Sequence, residues 1–194
     1  MTSLADLWPN HAKATIEGDT VTLPTSWMQY GRIMGACRNY SAEHLDGKKS
    51  KRVGGKSPEL IHMEGVQGEL AFHWWLYGRG FVPTLGGYKD VPDLMIGKRW
   101  GEVRTRVRTG RETWPLELKV QIDDHDDAVC VLVIFDQSGV VNSGAGRFVI
   151  EGWVETAWAK DNVKLRAPGN YNKPAHFVES KHLRPAEELR GMVA

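Results

Sequence analysis

The chain has 194 residues, 41% of them hydrophobic and 25% charged, and a formal net charge of +1. That composition supports one domain with a filled core, and no apolar run approaches the roughly 18 residues of a membrane span. The near-neutral total excludes polyanion binding through overall charge, although the cations are unevenly placed and local basic patches can still hold phosphates.

Residues 1–24 read as extended or irregular, with a strand in "TVTLP" and no charged start followed by an apolar core that would mark a secretory signal. Ser26 and Gln29 fit a capping box. The helix expected from about Trp27 to His44 carries Trp27, Tyr30, Ile33, Met34 and Cys37 as its apolar stripe. "DGKKSKRVGGKS" has turn formers and no apolar period, so it reads as a basic loop containing Lys48, Lys49, Lys51 and Arg52. Ser57 then caps a second helix with Pro58 at its first position, ending near Gly78 or Gly80.

From Phe81 the pattern becomes that of strands. "FVPTLGG" reads as a short strand and turn, and "DLMIG" with "WGEVRTRV" as a hairpin around Gly97, Lys98 and Arg99. "LELKVQ" is a third strand, and the Val-rich run "AVCVLVIFD" suits a central strand buried on both faces. "GRFVIEGWV" is a further strand, "VETAWAKD" a short helix, "AHFVES" a strand or loop, and "RPAEELRGM" a closing helical turn. Two helices followed by a run of strands predict one α+β domain with a mixed central β-sheet flanked by helices. Cys37 and Cys130 lie in apolar contexts without a CxxC spacing, which predicts reduced, buried thiols in a cytoplasmic protein and no structural zinc.

The stretch "DVPDLMIGKRWGEVRTRVR" carries the chemistry. Alternation along a strand puts Glu102, Arg104, Arg106 and Arg108 on one face and Val103, Thr105 and Val107 on the other. The hairpin brings Asp93 beside Glu102. Two adjacent carboxylates repel unless a cation lies between them, and a hard dication such as Mg2+ takes oxygen ligands and keeps several waters. Phosphate oxygens and an attacking water would complete its shell, as in metal-assisted phosphodiester hydrolysis. Arg104, one pleat away, is placed to stabilise charge on the phosphate. The competing reading is a solvated edge strand with Glu–Arg pairs. In the second helix Gly65, Glu69, Phe72, His73 and Leu76 share a face, with Gly68 beside them. A face of small and apolar residues approaches the sheet, so Glu69 needs a metal or an arginine of the facing strand as partner. A Glu69 reaching solvent is the alternative.

"GELAF" on a helix, then "PDL", then "EVRTR" on the next strand resembles the PD-(D/E)xK nuclease superfamily, and more narrowly its small phage and bacterial restriction-endonuclease-like members. The resemblance spans about residues 60–180 and includes the later strands "DDHDDAVCVLVIFD" and "FVIEGW". It implies a restriction-endonuclease-like fold, with residues 1–57 as an N-terminal segment and 58–194 as a nuclease-like core. It further implies one Mg2+ site, open to Mn2+ as a substitute, held by Glu69, Asp93 and Glu102, with Arg104 in place of the usual lysine. Arginine stays protonated and is a poor base, so activation of water falls to the metal, or else the site is weakened or dead. The expected activity is Mg2+-dependent endonucleolytic hydrolysis of DNA, with RNA as an open alternative. Lys48, Lys49, Lys51, Arg52, Arg106, Arg108 and Arg111 are expected to track the backbone rather than read bases, and a homodimer suits substrates with two equivalent strands. The second reading is a nucleic-acid-binding or regulatory protein on the same fold without catalysis.

"LELKV" supplies a literal ExK in Glu117 and Lys119, ranked second because it is equally a plain amphipathic strand. "DDHDD" offers Asp123, Asp124, Asp126 and Asp127 to a cation but reads more simply as a solvated turn. His62, Glu69 and His73 lack a zinc spacing. Trp74, Trp75, Trp153 and Trp158 read as core, and Trp100 as a residue placed to stack on an unpaired base.

Overall fold

The structure is a computed structural model that describes residue 9 and residues 12–44, 56–84, 91–110, 115–138, 144–167 and 174–193. Among them are nine strands: β1 (Thr15–Glu17), β2 (Thr20–Leu23), β3 (Leu94–Ile96), β4 (Arg99–Arg108), β5 (Glu117–Gln121), β6 (Val129–Asp136), β7 (Gly146–Glu155), β8 (Leu165–Arg166) and β9 (Ala175–Glu179). The α-helices are α1 (Thr25–His44), α2 (Pro58–Tyr77) and α3 (Thr156–Asn162), and 3-10 turns follow at Ser180–His182 and Ala186–Met192. The expected α+β class with a mixed central sheet is what forms.

Six strands make the central sheet in the order β1-β2-β7-β6-β4-β3. β4 runs parallel to β6 and the other pairs are antiparallel. β6 is buried along its whole length. Its side chains alternate between two cores: Val129, Val131, Val133 and Phe135 join the α1/α2 side, while Cys130, Leu132 and Ile134 join Leu118, Val120, Val154, Ala159 and Val178 on the other. The second core is covered by α3 and by a separate three-stranded sheet, β5-β9-β8. The third strand therefore leaves the hairpin's sheet and packs across it.

Local signals set α2. Ser57 accepts a hydrogen bond from Leu60 N, Pro58 opens the helix, and Gly78 closes it in the left-handed conformation at φ 66°. α1 begins at Thr25, one residue before the expected cap. The Pro24 carbonyl takes the first intrahelical bond from Met28 N, so Ser26 lies inside the first turn and caps nothing. The β3–β4 turn is two residues, Gly97 and Lys98, with Gly97 at φ 60°. No strand forms within 81–84, where "FVPTLGG" was expected to begin one.

Cys130 is buried, but Cys37 is exposed, because it lies on the α1 face that carries the exposed Ile33 and Tyr40. Trp74, Trp75 and Trp153 are core residues; Trp158 is 40% exposed on the short helix α3. No helix among the described residues is long and apolar enough to cross a membrane.

Candidate functional site

β4 positions the first half of the site. Its odd face, Val103, Thr105 and Val107, turns to α2, and Thr105 lies so close to Gly68 that a Cβ there would come within 1.9 Å of the threonine hydroxyl. The even face carries Glu102, Arg104, Arg106 and Arg108. The β3–β4 ladder pairs Leu94 with Gly101, so Asp93, one step beyond it, stands opposite Glu102 as expected from the sequence. Asp93 is pinned there: its Oδ2 accepts a hydrogen bond from Val103 N at 2.9 Å.

The Arg104 guanidinium lies among carboxylates. Its Nη1 is 3.0 Å from Glu102 Oε2 and 3.7 Å from Asp93 Oδ2, and its Nη2 donates to Asp124 Oδ1 at 2.8 Å. Asp124 is the residue that the sequence reading left in a solvated turn. Its side chain is instead largely covered, 8% exposed, with its Oδ2 accepting from Gln121 N at 2.8 Å and facing the Cys130 thiol at 3.7 Å. Burial pushes that thiol up to about 12, so it stays protonated.

α2 brings the other half. Glu69 is only 2% exposed, and its partner is Arg38 of α1, which forks onto it at 2.6 and 2.8 Å. Arg38 also donates to Thr84 O. The expected partner, a metal or an arginine of the facing strand, gives way to an arginine from the neighbouring helix because α1 and α2 pack at glycine contacts. At Gly35 a Cβ would meet Met63 Cα at 2.4 Å, and at Gly31 it would meet Gln67 Cγ at 2.7 Å. Arg38 had a signal in sequence: with Trp27, Gly31 and Met34 it continues the buried face of α1 at helical spacing, and a cation on such a face requires an acid.

Asp93 joins the two halves electrostatically. Burial first, and the Asp93 charge second, push the carboxyls of Glu69 and Glu102 each up to about 7, against the pull of Arg38 on Glu69 and of Arg104 on Glu102. Burial disfavours the Arg104 charge, yet Asp124, Asp93 and Glu102 outweigh it and hold the guanidinium protonated. Four carboxylates thus meet two guanidiniums among the described residues.

The remaining expected residues divide. The Glu117 side chain is not drawn to Asp93 but bridges Arg166 of β8 at 2.7 Å. Burial, then Arg104 and Arg106, lower the Lys119 ammonium below the usual lysine range, with Asp124 and Asp123 opposing. Arg106 donates to Glu117 O at 3.3 Å, tying β4 to β5. The Trp100 ring packs on His125 at 4.0 Å between centroids. Asp126 pairs with Lys160. His73 bonds the Arg79 carbonyl with its Nδ1, a structural role. Lys48, Lys49, Lys51, Arg52 and Arg111 lie outside the described residues.

Glu69, Asp93 and Glu102 suit Mg2+ in kind, being hard oxygen donors. Their present arrangement is set by the arginines, and no three His, Cys, Asp or Glu side chains among the described residues stand as metal ligands do. No protein-family model matches the chain, and no curated protein or solved structure is detectably similar to it.

Proposed function

We propose that the chain is a metal-dependent nuclease that hydrolyses phosphodiester bonds of DNA, on a restriction-endonuclease-like fold. The observation that supports this reading is that Asp93 couples electrostatically to both a helix acid, Glu69, and a strand acid, Glu102, while Arg104 lies 3.0 Å from Glu102 and 3.7 Å from Asp93.

Asp93 and Glu102, with Glu69 behind them, would hold Mg2+ or Mn2+, which when bound supplies a water of lowered pKa and an electrophile for a phosphate oxygen. The protein's own residues do the rest. Val103 N and the β3–β4 ladder fix Asp93. Arg38 orients Glu69. Arg104 keeps a permanent positive charge beside the acids, acting on the phosphate through its field rather than by contact, and cannot serve as the base. Arg106 and Arg108 continue the same strand face and follow the backbone, which favours recognition of strand state over base sequence.

One observation favours a second reading, a nucleic-acid-binding or regulatory protein without catalysis: Arg104 already acts as counter-ion to Glu102, Asp93 and Asp124. A single assay separates the two. The purified protein is incubated with supercoiled, linear and branched DNA, and with RNA, in Mg2+, in Mn2+ and in chelator. Metal-dependent product that disappears in Asp93→Ala and Glu102→Ala supports the nuclease. Retention of DNA without cleavage in any metal supports the binding protein.

A further inference from the structure

We propose that Arg104 is a built-in competitor for the dication, occupying the acids in the apo protein and retracting onto Asp124 when metal enters. The inference rests on the metal-centre reading of Glu69, Asp93 and Glu102.

The guanidinium is divided between two sets of partners. Nη1 serves the two acids expected to hold metal, at 3.0 Å from Glu102 and 3.7 Å from Asp93, while Nη2 serves Asp124 at 2.8 Å. Asp124 cannot follow Arg104 outward. Its second oxygen is held by Gln121 N at the turn after β5, and its side chain is 8% exposed. Arg104 also keeps a donor in reserve: its Nε is buried without a hydrogen-bond partner. An unmade bond of this kind is costly. A small rotation of the guanidinium would bring Nε and Nη2 together onto Asp124 in the side-on fork that carboxylates accept well, and would withdraw Nη1 from Glu102 and Asp93. The chain therefore has a place for Arg104 to go.

Electrostatics supports the exchange. A dication between two carboxylates at short range gains more than one arm of a singly charged, delocalised guanidinium. Arg104 loses Nη1's contacts but satisfies Nε, so its movement costs less than full displacement of an ion pair. Without metal, the same cation offsets part of the repulsion between Asp93 and Glu102.

The test uses two readouts on the full chain. The first is Mn2+ binding by calorimetry to wild type, Arg104→Met and Arg104→Lys, with circular dichroism to establish folding. Removal of the competitor in Arg104→Met is expected to tighten Mn2+ by about tenfold or more, equivalent to about 1.4 kcal/mol. The second is the side-chain Nε–Hε resonance of Arg104 in wild type, assigned by its loss in Arg104→Lys and followed on addition of diamagnetic Mg2+. It is expected to move downfield and exchange more slowly with water as Nε engages Asp124, and to stay unmoved in Asp124→Asn. Simple loss of a nearby cation would tighten binding in Arg104→Met without moving the wild-type resonance, so metal binding with an unmoved resonance overturns the inference while leaving the metal centre intact. If Arg104→Met fails to fold, the wild-type resonance decides alone. Absence of binding by wild type at millimolar Mn2+ or Mg2+ defeats the metal-centre reading, and the inference with it.

Discussion

Arg104 and Asp124, twenty residues apart in the chain, close a 2.8 Å ion pair beneath the face of β4 that carries Glu102. The pair ties the turn after β5 to the central sheet, so Asp124 supports structure and electrostatics at once. Asp124→Ala leaves Gln121 N and Arg104 without their acceptor. The expected loss is about 3 kcal/mol of stability, read by urea unfolding. Because the Asp124 charge also helps to raise the Glu102 carboxyl, Asp124→Asn is expected to lower the Glu102 titration midpoint, measured by carboxyl NMR.

Stability should fall as the solution is made more alkaline through neutrality. Burial, then Asp93, push Glu102 from its ordinary 4.5 up to about 7. The folded state thus holds this proton more tightly than the unfolded state. The stabilising contribution is complete below pH 4.5 and disappears as pH rises through about 7. Glu69 acts in the same sense. Glu102→Gln is expected to flatten part of that slope, by up to about 3 kcal/mol between pH 5 and 8, and millimolar Mg2+ to flatten it in wild type. Chemical denaturation across pH checks both; an unchanged slope in Glu102→Gln refutes the assignment.

The Arg38–Glu69 pair separates structural from chemical roles. Arg38→Met strands a buried carboxylate and is expected to cost about 3 kcal/mol, seen as a fall in Tm of about 6–12 °C. A double change, Arg38→Met with Glu69→Leu, restores most of that stability because neither charge is left alone. On the nuclease reading the double variant is stable yet cleaves poorly. Full cleavage by it would remove Glu69 from the metal set.

Gly68 sets how closely α2 approaches β4. A methyl group there meets Thr105 Oγ1 at 1.9 Å, and Thr105 Cβ at 3.0 Å. Gly68→Ala should lose about 1–3 kcal/mol from overpacking and displace Glu69, its chain neighbour. Adding Thr105→Ala removes the closest atom together with a buried hydroxyl that lacks a partner, and should recover part of the loss. Thermal unfolding of the two variants and the double provides the comparison.

The two ExK-like placements are also distinguishable. Glu117 pairs with Arg166 in the small sheet, so on the nuclease reading Glu117→Gln is expected to leave metal-dependent cleavage intact while Glu102→Gln abolishes it. The reverse pattern on a plasmid assay would transfer the site to β5.

Much of this architecture was legible from the chain alone because it depends on neighbours in sequence. Ser57, Pro58 and Gly78 bound α2 through their own caps, the unbroken apolar run marks β6 as the central strand, and strand alternation with a hairpin turn near Gly97 brings Asp93 beside Glu102, although the turn is one residue shorter than the expected Gly97, Lys98 and Arg99. Three features were decided only by tertiary structure. β5 has the same alternating pattern whichever sheet it joins, so its departure to a second layer left no trace in its residues. Arg38 reaches Glu69 because glycines let two helices touch, and Asp124 reaches Arg104 because that second layer carries its turn back over β4. Periodicity tells which side of an element is buried; which charges meet there depends on how the layers stack, and an ion pair between distant segments has no local pattern to announce it.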